Sequence, residues 1–214
     1  MEKGIMKDSK RNSRIRLLAK RLNQQRKKQA VQIDLLCNDI IKAHGDFIDS
    51  VRILSFAAEF YESLIGIDEL DNLFYTAAHT IKRHLPDINL AFFINQPECF
   101  QIYAFDCDTS ETPEQYRIEQ YFNNELVTAL TGVNKPCSLD ELLQMGLQAS
   151  PAVLKDISAS TIPIAAAGSV SGFILIYQSS GQTLEPAYIK FLCPVGRGLS
   201  RAIRACSIPK QPSN

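Results

Sequence analysis

Residues 14–65 contain no proline and a single glycine, Gly45. Within that stretch Ile33, Ile40, Phe47, Leu54 and Tyr61 recur every seven positions, and Leu36, Ala43, Ser50, Ala57 and Leu64 each follow three positions later. Apolar a and d positions sustained over five heptads predict a long helix with a coiled-coil seam, or a helical hairpin. Ser50 is polar, and Ala43 and Ala57 are small. Such a seam suits a closely packed dimer helix, or one that packs on its own domain at one end. Ile33, Leu36, Ile40, Ala43, Phe47 and Leu54 are the expected dimerisation residues.

The helix is expected to stop at Ile65-Gly66, because glycine just past the last apolar residue is a common helix stop. Asp68 then reads as the cap of a second helix, residues 69–84. Its Leu70, Leu73, Phe74, Ala77, Ala78, Ile81 and Leu85 follow i, i+3, i+4, i+7 spacing, so one face is buried. After Pro86 the period changes. Residues 88–94 (INLAFFI) and 100–105 (FQIYAF) are strand-like around the turn cluster Asn95-Gln96-Pro97-Glu98. An acidic loop over 106–114 leads into an amphipathic segment, 114–130, which Lys135-Pro136 ends. Ser138 reads as the cap of a short helix, 139–145. Strands over 160–166 and 172–177 flank Ala167-Gly168-Ser169, and a last helix spans 186–206, with Arg197, Arg201 and Arg204 towards its C-terminal end, where cations suit the dipole.

This order describes an α+β domain, an antiparallel sheet with helices gathered on one side, preceded by a long N-terminal helix. The C-terminal third reads Thr161-Ile162-Pro163-Ile164, then Ala167-Gly168-Ser169-Val170-Ser171-Gly172-Phe173-Ile174-Leu175-Ile176-Tyr177, then Leu184-Glu185-Pro186 and a closing helix from Tyr188. Pro163 fits an edge or strand-start position, Gly168 a tight hairpin, and Gly172 a close backbone approach. In that pattern residues 51–205 resemble the GAF domain, a small-molecule sensor module related to the PAS domain. The chain then divides into a basic leader (1–28), a long helix running into the domain (29–66), the GAF-like domain (51–206) and a loose tail (207–214).

Charge alters this picture at one end only. The formal net charge is zero, yet residues 1–28 carry eleven basic side chains against Glu2 and Asp8, and the other 186 residues carry 12 basic and 21 acidic ones. A tail of +9 on a body of −9 is a candidate contact for nucleic acid or another polyanion over residues 3–28, with steeply salt-dependent affinity. It lacks aromatic residues for base stacking, and its Leu17, Leu18 and Leu22 continue a helical stripe, which also fits the solvated start of the coiled coil.

Residues 157–184 are uncharged but broken by Pro163, Gly168, Gly172 and Gly181. Their apolar runs fall far short of the ~20 residues a spanning helix needs, so no transmembrane segment is expected. No signal peptide is legible, and the six cysteines include no CxxC pair, as in a cytoplasmic protein with reduced thiols.

Catalytic motifs are missing. His44, His79 and His84 have no HExxH spacing, and neither a GxGxxG nor a GxxxxGK[ST] loop occurs. No metal, cofactor or enzymatic activity is expected. Gly196-Arg197-Gly198 lies in a helical pattern and reads as an aid to close helix packing.

The resemblance implies a pocket with the sheet as floor and residues 106–158 as lid. Its candidate lining is Phe92, Ile94, Tyr103, Phe105, Ile162 and Ile164 on the floor, and Tyr116, Tyr121 and Phe122 on the lid. The expected function is a non-catalytic regulatory module of the bacterial type, a homodimer that binds a small molecule or partner and transmits through its N-terminal helix. Two alternatives stand beside it. One is a nucleic-acid-binding regulator using the basic tail. The other, implied by GAF proteins that reduce methionine sulfoxide, is a thiol enzyme drawing on Cys99, Cys107 and Cys137. There Cys137 precedes a helix start that would lower its pKa, while Asp106 and Asp108 would raise that of Cys107.

Overall fold

A computed structural model describes residues 2–96, 99–106, 117–166, 168–178 and 183–206, with side chains from Arg14 onward. The chain divides into two compact units, residues 1–52 and 53–214. The first unit consists of helix α1 (Glu2–Ser63), whose last turns belong to the second unit. The basic leader is therefore helical, in one piece with the heptad stretch. From Arg14 to Arg52 every side chain is exposed, the seam included, and Ile40 reaches 67%. Ser50, the polar residue in the seam, donates its hydroxyl hydrogen bond to the Asp46 carbonyl one turn back, at 2.8 Å. Among the described residues no helix is long and apolar enough to cross a membrane.

In the second unit α1 ends at Ser63, and Gly66 turns the chain with φ 81°. Helix α2 (Leu70–His84) is capped by Glu69 rather than the expected Asp68, without a side-chain hydrogen bond. Strands β1 (Asn89–Asn95), β2 (Phe100–Phe105), β3 (Cys137–Ser138), β4 (Ser158–Ala166) and β5 (Ser169–Gln178) form one antiparallel sheet in the order β2-β1-β5-β4-β3. Between β2 and β3 come a 3-10 turn (Ile118–Tyr121) and helix α3 (Asn124–Val133). Short helices α4 (Leu139–Gln144) and α5 (Pro151–Lys155) follow β3, and α6 (Pro186–Cys206) closes the unit.

Of the amphipathic segment expected over 114–130, residues 114–116 lie outside the described residues and the rest forms two elements. Asn123 separates them, because its side chain accepts from Leu126 N–H at 2.8 Å and starts a new helix. The expected hairpin glycine does turn the chain, with Gly168 at φ 80°. Pro163 lies on β4 beyond Ser160 and Thr161, the two residues that β3 pairs, so its missing N–H falls where β3 no longer reaches.

Two hydrophobic cores lie on opposite faces of the sheet, and strand alternation assigns residues to them. Leu90, Phe92 and Ile94 of β1, Ile162 and Ile164 of β4, and Ile174 and Ile176 of β5 join Phe56 and Phe60 of α1, Phe74 and Ile81 of α2, and Leu199 of α6. Ala91 and Phe93, Ala159, and Phe173, Leu175 and Tyr177 point the other way, under the 3-10 turn and α3 to α5. The long helices therefore gather on one face, and the other is roofed by short pieces.

Two glycines set the spacing of this stack. A Cβ on Gly196 of α6 would stand 2.2 Å from the Pro163 carbonyl oxygen. One on Gly172, at a bulge in β5, would stand 1.9 Å from that of Phe93. At both points backbone rests directly on backbone.

Candidate functional site

The roofed face holds a stacked aromatic group. Phe93 and Phe173, cross-strand partners in the β1–β5 ladder, lie 4.6 Å apart, and Phe122 approaches them at 4.9 and 5.8 Å. Leu126, Val127 and Leu130 of α3 and Leu142 of α4 complete this apolar cluster. A 3-10 turn has about three residues per turn, so Ile118 and Tyr121 fall on the same side; Ile118 is fully buried, and Tyr121 packs on the same core.

The turn also carries charge inward. Glu119 is only 6% exposed. Arg117 Nη1 lies 3.7 Å from Glu119 Oε1, and the other guanidinium nitrogen, Nη2, is paired with Asp106 Oδ2. Beside them lies Tyr177 of β5, buried, its phenol pKa pushed far up by burial first and then by the charge and hydrogen bonding of Glu119. A neutral phenol, two carboxylates and one guanidinium thus meet at the margin of the aromatic cluster. Among the described residues, Glu119 Oε2 is buried without a hydrogen-bond partner. Leaving a buried acceptor unpaired costs roughly 1–3 kcal/mol.

Helix α4 begins with a complete capping box. Ser138 N–H donates to Glu141 Oε2 at 2.9 Å, Glu141 N–H donates to Ser138 Oγ at 3.4 Å, and Lys135 Nζ donates to Glu141 Oε1 at 2.7 Å. These bonds hold the Glu141 carboxyl below its ordinary range, Lys135 first and the Ser138 backbone next.

Cys137, one residue before the cap, is buried, and its thiol donates to the Lys135 carbonyl at 3.5 Å. Burial, then the Glu141 charge, pushes its pKa up, opposite to what nucleophilic chemistry requires. Burial likewise raises Cys193 and Cys206. Cys99 is exposed on the loop before β2, and Cys107 lies outside the described residues. Among the described residues no cluster of His, Cys, Asp or Glu has metal-binding geometry.

The pocket residues expected from sequence divide between the two faces. Phe92, Ile94, Ile162 and Ile164 are buried together with Tyr103 and Phe105 packed beside them, all on the face covered by α1, α2 and α6. Phe74 fills the space above Phe92 and Tyr103, with ring centroids 5.1 and 4.3 Å away. Tyr121 and Phe122 lie on the opposite face, and Tyr116 falls outside the described residues. Alternation grouped the six floor positions together, but nothing local says which face receives the long helices. Arg117, Glu119 and Tyr177 were not singled out from sequence. The available signal was a phenol at the end of an apolar strand, whose hydroxyl needs a partner once buried. That partner is 58 positions away, by the residue numbers of Glu119 and Tyr177.

No protein-family profile matches the chain, and no curated protein matches it by sequence. Solved structures do resemble it. The GAF domain of a phosphoenolpyruvate-protein phosphotransferase from Coxiella burnetii is 13% identical, with a TM-score of 0.52 over 72% of this chain and 94% of that one. The corresponding domain from Acinetobacter is 10% identical, with a TM-score of 0.52 over 75% and 97%. The GAF domain of the cyanobacteriochrome TePixJ is 12% identical, with a TM-score of 0.51 over 67% and 94%. The chain has the GAF fold, preceded by a long N-terminal helix.

Proposed function

We propose that this GAF-fold chain is a non-catalytic cytoplasmic sensory module. It takes a small molecule between the roofed sheet face and the short elements above it, and pairs with a second copy through the seam of Ile33, Leu36, Ile40, Ala43, Phe47 and Leu54. The observation that carries the reading is the contrast between the two sheet faces. One is closed by α2 and α6, of 15 and 21 residues, together with the end of α1. The other is roofed by elements of four to ten residues joined by loops. Short elements with few interlocking turns open at the least free-energy cost, and ligand-gated covers are drawn from such regions. Tyr121 and Phe122 are the cover residues on this reading, with Phe93, Phe173 and Tyr177 beneath them. Phe92, Ile94, Tyr103, Phe105, Ile162 and Ile164 belong to the structural side of the sheet.

The exposed helix seam supports pairing. Its apolar side chains repeat at heptad spacing, and burying one such side chain contributes roughly 1.5–3 kcal/mol. A ligand would shift the packing of the paired helices only by as much as it binds the two arrangements differently.

Two measurements test the proposal. Sedimentation of the full chain is expected to give a dimer, and Ile40→Asp a folded monomer with unchanged far-ultraviolet dichroism per residue. A monomeric wild type would end the pairing half. Native mass spectrometry of the protein equilibrated with a cell-extract metabolite pool is expected to retain a bound small molecule. Failure of any metabolite to bind or to raise the melting temperature would end the sensor half.

A further inference from the structure

Glu119 Oε2 is the one buried side-chain polar atom among the described residues without a hydrogen-bond partner. It faces the interior from a turn on the roofed face, beside Tyr177 and Arg117. We infer that Glu119 anchors a ligand carrying a primary ammonium group, which donates an N–H to Oε2. The inference rests on the reading of the roofed face as the ligand side, and it names the ligand's chemistry there.

Three observations narrow the class. First, an ionised carboxylate only accepts, so the missing partner is a donor. Second, Oε1 already faces Arg117 Nη1 at 3.7 Å, so a second guanidinium could not engage both oxygens in the two-pronged manner that favours that group. A single-point donor suits the one free oxygen better. Third, among the described residues Asp106 and Glu119 share one ion-pair partner, Arg117, two carboxylates to a single guanidinium. A monocation completes the balance, whereas an anion is repelled. The Tyr177 hydroxyl, kept protonated by its surroundings, retains lone pairs that can accept a second ammonium hydrogen. A bound water would also donate to Oε2, but it would bring no positive charge.

The test uses the full chain and methylammonium chloride as the probe, with tetramethylammonium chloride as a control of equal charge and no N–H. Acetamide and sodium acetate test a neutral donor and an anion. Calorimetry is expected to show one methylammonium per chain, and a melting-temperature rise of about 5–10 °C at a hundred times its Kd. Tetramethylammonium is expected to give neither. Glu119→Gln, which keeps the shape, is expected to abolish the methylammonium response. Arg117→Gln removes the competing cation and is expected to tighten methylammonium binding at least threefold, so the two variants move in opposite directions and a folding defect cannot mimic both. Equal responses to the two ammonium ions, no response to methylammonium, or an unchanged response in Glu119→Gln would overturn the inference. A metabolite without an ammonium group that stabilises wild type and Glu119→Gln alike would overturn the ligand class while leaving the sensor reading intact. If no probe and no metabolite binds, both fall.

Discussion

Replacing Gly196 by alanine sets two local effects against each other. In a helix interior alanine is favoured over glycine by roughly 0.5–1 kcal/mol. In place, the new Cβ would stand 2.2 Å from the Pro163 carbonyl oxygen and 3.3 Å from its carbon. Carbon and oxygen of packed backbones normally approach to about 3.3 Å. The shortfall is therefore about 1.1 Å, and since the obstructing atoms are backbone, no rotamer change relieves it. Helix α6 must lift from β4, loosening Leu192, Val195 and Leu199 in the core below. Overpacking of this kind costs typically ~1–3 kcal/mol.

The net expectation is a loss of about 1–2 kcal/mol, read in thermal melts as a fall of about 2–8 °C for a domain of this size. Two controls bracket it. Gly132→Ala in α3 meets no heavy atom within 4 Å and is expected to stabilise by roughly 0.5–1 kcal/mol. Gly198→Ala meets the Tyr61 ring at 2.0 Å, a side chain that can swing aside only by giving up its 2.6 Å hydrogen bond to the Pro194 carbonyl; its loss should fall between the other two. If urea titration found Gly196→Ala as stable as wild type, the argument from close backbone contact would be refuted.

Other expectations concern single groups. The Tyr177 phenol is raised from its ordinary value of 10.0, so the folded chain keeps that proton after the unfolded chain has released it. Its contribution is intact below pH 10 and declines above it, by about 1.4 kcal/mol per pH unit. Urea melts between pH 9.5 and 11 should show a shallower decline in Tyr177→Phe, and equal slopes would argue against the buried phenol. Ser138→Ala removes the cap of α4 and should cost about 1 kcal/mol, or 2–4 °C in melting temperature. Iodoacetamide followed by peptide mapping should modify Cys37 and Cys99 in the folded protein while Cys137 reacts only in denaturant; rapid labelling of Cys137 would contradict its burial.

What the sequence disclosed was what depends on short-range rules. The closing helix spans 186–206 as expected, Ser138 caps α4, and Gly172 and Gly196 stand where backbones come close. Helix α5 and strand β3, of five and two residues, went unread because neither is long enough to repeat the period of its pattern. The choice of sheet face depended on where α2 and α6 settle, a matter of the whole chain. Glu119 escaped notice for a related reason. A glutamate beside an isoleucine in an amphipathic stretch reads as solvated, and only the approach of Tyr177 and the roof above reveals it as interior.

Gly196, Pro163, Ile164, Gly172 and Phe93 form a line running from α6 across β4 and β5 to β1. Along it the spacing is set by bonded backbone atoms, which have almost no compliance. Away from it α6 rests on long side chains such as Phe191 and Ile203, which can change rotamer. A push on either end of α6 is therefore expected to meet stiff resistance at Gly196 and more yielding contacts elsewhere, so that the helix should rock about that point instead of sliding. Amide exchange should accordingly be slowest around residues 195–198 and faster towards both ends of α6. On this expectation the two glycines give the helix a fixed fulcrum, and a small displacement at one end should appear as an opposite one at the other.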